Sequence, residues 1–128
     1  MKATINLITI WVDDLFKMKN FYHKVLGFKI KNELDDYVEF HNEGVRFALC
    51  NRKIMTEYSD AFSETSRGQA FELAFPCEKA EDVDLTYSLL INMGAKDIQE
   101  PKDMPWQQRT ALFADPEGNI HEIFCELE

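Results

Sequence analysis

One order of elements, run twice, constrains this chain more than any other feature. Residues 5–12 alternate and are rich in β-branched side chains, the mark of a strand. Asp13 and Asp14 then offer carboxylates to the free N–H groups of a first helical turn. Leu15, Met18, Phe21, Tyr22 and Val25 recur at helical spacing, and Gly27 stops the helix. Three short strands are predicted next, over 28–33, 37–41 and 45–50, the last two joined by the turn Asn42-Glu43-Gly44. The second half repeats the order. A strand over 70–76 precedes a helix over 78–93 with the stripe Val83, Tyr87, Leu90 and Ile91, ended by Gly94. Strands over 96–100, 109–114 and 120–124 follow, with the turn Asp115-Pro116-Glu117-Gly118-Asn119 between the last two. The halves are joined by a polar stretch over 51–69 with scattered apolar residues, expected to be partly helical; so long a connection is usually functional or mobile. An insertion over 101–108, with two prolines and Trp106, reads as an ordered loop covering something.

Composition narrows the classes. The chain has 128 residues, 45% of them hydrophobic, enough to close a core without disulfides. A net charge of −9 and the lack of a basic run exclude nucleic acid as a partner. No apolar run approaches the roughly 18 residues that span a bilayer, and the N-terminus reads as a strand, not a signal peptide, so neither membrane nor export is expected. Cys50, Cys77 and Cys125 are widely spaced and form no CxxC pair, which fits reduced thiols in a cytoplasmic protein.

Two runs carry a family likeness. Asp14, Leu15, Phe21, Tyr22, Leu26, Gly27 and Phe28 form one; Asp115-Pro116-Glu117-Gly118-Asn119 followed by Glu122 forms the other. Set in a duplicated frame, they make the chain resemble the vicinal oxygen chelate superfamily, which includes glyoxalase I, extradiol dioxygenases and the bleomycin-resistance proteins. The resemblance covers nearly the whole chain. It implies an α+β fold in which two tandem βαβββ modules form a curved mixed sheet around a cleft, often completed by a second subunit. A single domain over 1–128 is then expected, with modules at about 1–55 and 66–128, a linker at about 51–69, and a homodimer as the working unit.

The resemblance also implies where a metal would be held. Enzymes of the superfamily use up to four ligands, a His or Glu early in each module's first strand and a Glu in its last. The internal repeat locates these positions: Leu7 stands five residues before Val12, Glu72 five before Cys77, Ala48 four after Gly44 and Glu122 four after Gly118. Leu7 and Ala48 have no donor atoms, and a homodimer repeats the deficit. No cofactor is therefore expected; a divalent metal, if one is held, rests on Glu72 and Glu122. If those carboxylates lie close, their repulsion raises one pKa and favours a cation or a donor group.

Strand alternation turns Phe71, Leu73 and Phe75 toward the helix and Glu72 the other way, and sets Phe124 with Glu122. Arg46, Ala48 and Cys50 share the cleft face, as do Leu7, Thr9 and Trp11. Phe21, Tyr22 and Phe71 are assigned to the core. His121 points away from the cleft, while His23 and His41 face solvent. Trp11 and Trp106 are less easily spent on a core and suit stacking on a planar or cationic ligand. The ligand-binding candidates are Trp11, Arg46, Glu72, Trp106, Arg109 and Phe124, with Glu122 as the catalytic candidate. The expected activity is small-molecule binding, like that of the bleomycin-resistance branch, with an aromatic or cationic ligand in a dimer cleft. The alternative is a metal-dependent lyase, isomerase or dioxygenase using Glu72 and Glu122, the latter as a proton shuttle.

Overall fold

The computed structural model describes residues 1–63 and 68–128. The chain divides into two compact units, Met1–Ser66 and Arg67–Glu128. The expected module boundary at 66 and part of the expected linker lie outside the described residues. In the first unit β1 (Leu7–Val12), α1 (Leu15–Asn20), β2 (Ile30–Glu33), β3 (Tyr37–Phe40), β4 (Arg46–Asn51) and α2 (Arg52–Tyr58) follow in order. The second contains β5 (Ala74–Pro76), α3 (Ala80–Asn92), β6 (Lys96–Met104), β7 (Gln108–Ala114) and β8 (Ile120–Glu126). Each unit builds one four-stranded mixed sheet, in the orders β1-β4-β3-β2 and β5-β8-β7-β6. In both, the first strand pairs parallel to the last and the other pairs are antiparallel. The fold is thus α+β with the same topology twice.

Alternation decides what each sheet buries. In the first unit Ile10 and Val12, Val38 and Phe40, and Phe47 and Leu49 form the apolar face, closed by Met18, Phe21 and Tyr22. The Tyr22 ring, fully buried, lies 5.5 Å from the rings of Phe21 and Phe47 and 6.2 Å from that of Phe40. Rings packed edge-on or tilted in this way add to the burial of their area. The Asp14 carboxylate caps α1 by accepting the Lys17 N–H at 3.0 Å. The helix runs on as a wide π turn over Phe21–Val25 and reverses at Gly27, whose φ of +88° a side chain would strain. That reversal brings the Phe28 carbonyl to 2.7 Å from His23 Nδ1. His23 is therefore half-buried and tied down, not solvent-facing as expected; His41 is exposed.

In the second unit Val83, Tyr87 and Leu90 of α3 are buried together with Ala111, Phe113, Ile123 and Cys125. His121 is buried too, its ring 5.7 Å from Phe113 and 6.1 Å from Phe75, turned away from Glu122 as alternation predicts. Burial pushes its pKa down, against a smaller upward pull from Asp115. The turn between β7 and β8 is organised by Asp115, which is fully buried. Its carboxylate accepts the N–H groups of Glu117 and Asn119, each at 3.0 Å, and Asn119 Nδ2 at 2.7 Å.

Two further regions differ from expectation. The insertion over 101–108 is not a loop: β6 and β7 run into it and leave only residues 105–107 as the tip. Pro101 is tolerated because it falls in the register gap between Gln99 and Lys102, where the ladder asks no N–H of it. The first strand of the second unit is shorter than expected, starting at Ala74, and Phe71 ahead of it is 61% exposed instead of packed in the core. The connection is partly helical, as expected, with α2 capped by the Asn51 side chain on the Lys53 N–H.

Replacing Asp115 by Ala strands three donors of the β7–β8 turn. A loss of about 2 kcal/mol in unfolding free energy is expected by denaturant titration. A change under a few tenths would show that the turn holds without that carboxylate.

Candidate functional site

The face opposite α1 in the first sheet carries most of the candidates in that unit. The register sets Leu7 against Arg46, Thr9 against Ala48 and Trp11 against Cys50. On the other side of β4, Glu39 lies against Ala48 and Tyr37 against Cys50. Cross-strand partners share a face, so these eight side chains line one surface. Trp11 reaches this face as expected, but it is not bare. The Phe62 ring meets it edge-on at 4.7 Å, and Arg52, bound to Asp13 at 3.0 Å, lies against its carbonyl.

Glu39 is the residue that the sequence reading missed. Its side chain is only 6% exposed, yet it carries a charge. Arg46 donates to it through Nε at 3.0 Å and Nη2 at 2.7 Å, the Tyr37 hydroxyl donates at 3.3 Å, and Lys31 Nζ stands 3.7 Å away. The Arg46 hydrogen bonds hold the carboxyl down to about 2, against the upward push of burial. The same pair raises the Arg46 pKa, and burial followed by Glu39 raises that of Tyr37. A signal did exist: Glu39 alternates with Val38 and Phe40, and the tight turn at 42–45 folds Arg46 back beside it. Cys50, on the same face, is buried, and burial raises its thiol pKa, which suits packing and not nucleophilic attack.

In the second unit Glu122 lies opposite α3, between Ala74 on β5 and Leu112 on β7. Phe124 follows on the same face, across from Thr110. Glu72 is exposed just ahead of β5, where the Glu122 N–H still bonds the Leu73 carbonyl at 2.9 Å. The Glu122 pKa is raised, first by burial and then by the Glu72 charge. Trp106 sits at the hairpin tip, 58% exposed, with its indole N–H donating to Gln108 Oε1 at 3.0 Å.

Arg109 departs from its expected role. It shares a face with Ala111 and Phe113, and its guanidinium binds Asp84 of α3 at 2.8 and 3.1 Å and Asp103 at 2.9 Å. The alternation of β7 thus puts it on the α3 side, opposite Glu122. There it borders a surface groove of about 260 Å³ with Tyr87, Ser88 and Glu100.

The donor set tests a metal directly. Of the four positions that the resemblance marks, Leu7 and the fully buried Ala48 in the first unit offer only hydrocarbon. Glu39, beside Ala48, already holds Arg46 and Lys31. Among the described residues no three His, Cys, Asp or Glu side chains are grouped so as to hold an ion. These residues do not fit a chelated catalytic metal.

The comparisons agree with this architecture. The model of the Glyoxalase/Bleomycin resistance protein/Dioxygenase superfamily matches residues 4–123. The chain is 36% identical over 127 residues to the uncharacterized protein YraH of Bacillus subtilis (strain 168), covering 94% of this chain and 96% of that protein. Among solved structures, it is similar to a glyoxalase/bleomycin resistance protein/dioxygenase from Nocardioides, with a TM-score of 0.86, 26% identity, and coverage of 100% of this chain and 86% of that one. A glyoxalase/bleomycin resistance protein/dioxygenase family enzyme from Burkholderia phytofirmans PsJN gives 0.87 at 26% identity, covering 98% of this chain and all of that one. Among the described residues no helix is long and apolar enough to cross a membrane. Duplicated topology, the two motif runs and a family model spanning nearly the whole sequence lead to one conclusion: the chain belongs to the glyoxalase/bleomycin resistance protein/dioxygenase superfamily.

Proposed function

We propose that this protein binds a small aromatic or cationic molecule in a cleft completed by a second copy of the chain, without a complete metal site. The observation that carries the reading is the hydrocarbon at Leu7 and Ala48, the two positions of the first unit where the resemblance would put metal ligands. Fold alone does not choose a chemistry; site residues do. The Glu72 and Glu122 carboxylates support attraction of a cationic group. Glu122 is half-buried beside Phe124, where less water screens its charge. Trp11 and Trp106 supply flat apolar surface for stacking. A second reading, acid–base catalysis by Glu122, draws support from its raised pKa, since a carboxyl titrating nearer neutrality transfers protons more effectively.

Three measurements test this. Purified protein is expected to carry well under one equivalent of transition metal by elemental analysis; full occupancy would overturn the metal-free reading. In a thermal-shift screen of cationic aromatic compounds, a ligand selective for the native state raises the midpoint. Its binding should change tryptophan fluorescence and weaken about tenfold in Trp11→Phe or Trp106→Phe. Affinity untouched in both variants would remove the stacking role.

The third measurement concerns Glu122. A carboxyl whose folded pKa is raised favours the native state fully below its unfolded value near 4.5, and that contribution is lost as pH rises through the folded pKa. Wild type should therefore lose stability relative to Glu122→Gln as pH rises above about 4.5. Over the same window a cationic ligand should bind more tightly to wild type, because it pairs with the ionised form. Parallel pH profiles for the two proteins would exclude Glu122 from the site.

A further inference from the structure

We propose that Glu39, Arg46 and Lys31 form an anion-anchoring subsite on the face opposite α1, taking the carboxylate or phosphate group of a small ligand on the Arg46 guanidinium. This goes beyond the cation-attracting role given to Glu72 and Glu122, and it uses different residues in the other unit.

Arg46 is held in place before any ligand arrives. Two hydrogen bonds, from Nε and Nη2, fix it to a carboxylate that is itself buried, with the Tyr37 hydroxyl on the same oxygen as Nη2. A side chain already confined to one geometry has less freedom to lose when it binds. The pair uses only the Nε/Nη2 edge of the guanidinium. Nη1 has no part in it, and the Arg46 side chain remains 55% exposed. The planar fork of arginine matches the two oxygens of a carboxylate or phosphate.

Charge points the same way. Lys31, 52% exposed, stands on the same carboxylate, so two cations face one anion. Glu39 stays ionised, so these three side chains together carry one excess positive charge in a chain whose net charge is −9. Hydrocarbon lies beside the cluster on the neighbouring strands. Arg46 is the register partner of Leu7, and Glu39 that of Ala48, the two positions where metal donors are missing. A guanidinium beside apolar side chains is screened less than one in open water, which strengthens its pairing with an anion. On this strand pair a fixed organic cation stands next to the positions that a metal's ligands would take.

The test follows the Arg46 Nε–H resonance by proton–nitrogen NMR during titration with benzoate and, separately, with inorganic phosphate. Neutral benzamide is the control. Saturable movement of Arg46, with Arg52 and Arg109 unmoved, is expected with at least one anion. Response to benzoate alone identifies a carboxylate subsite, to phosphate alone a phosphate subsite, and to both a general oxyanion subsite. Arg46→Lys should weaken binding about tenfold by losing the fork, and Lys31→Met by less. Because removing the arginine strands a buried carboxylate, the binding-dead variant is the double change Glu39→Gln with Arg46→Met, its fold checked by circular dichroism. An Arg46 resonance that stays still with both anions, moves in parallel with Arg52, or moves equally with benzamide overturns the proposal. If the tryptophan response to cationic aromatics persists while the Arg46 response is absent, this subsite fails and the reading above stands.

Discussion

Everything usable in this protein follows from the burial of one face of each sheet under its own helix. A strand presents alternate residues to opposite sides, so once Val38, Phe40, Phe47 and Leu49 are committed to α1, Glu39, Arg46 and Ala48 must face the other way. The same holds for Ile123 and Glu122 on β8. A slip of one residue in either register would exchange the two sets and bury charges under the helices. The apolar faces are the energetic reason the register is kept, and the opposite faces are where function can vary at little expense to folding.

The second faces show two ways of managing a carboxylate. Glu39 is taken out of water and held ionised by Arg46, so it carries structure and orients a cation. Glu122 is half-buried and feels the Glu72 charge, so its proton is held more tightly. At the positions that the resemblance marks for ligands, the second unit carries Glu72 and Glu122, while the first carries Leu7 and Ala48 with the Glu39–Arg46 ion pair alongside.

Much of the fold was legible because its signals are local. The helical spacing of Met18, Phe21 and Tyr22, the Asp14 cap and the Asp115 turn each act within a few residues of themselves. Phase along a strand was legible too, which is why Glu122, Phe124 and Trp11 lie on the faces predicted for them. The failures came where phase had to be referred to a neighbour. Arg109 is a ligand-binding candidate by sequence, yet its strand partners and Asp84 set it on the α3 side. Pro101 signals a loop in the sequence, although a bulge absorbs it in the strand. Phe71 falls in the core only if the strand starts at residue 70, four residues before its observed start at Ala74.

The amino-acid sequence by itself determined the duplicated α+β topology, the family, and the absence of donor atoms at Leu7 and Ala48, because these depend on side-chain identity and on period along the chain. Tertiary structure alone decided which charges meet. Pairing of β3 with β4 brings Arg46 onto Glu39, packing of α3 on β7 brings Asp84 onto Arg109, and the segment after α2 brings Phe62 onto Trp11. Electrostatic character falls steeply with distance and depends on burial, so it belongs to residues that are neighbours in space, and those neighbours are chosen only when the sheets close.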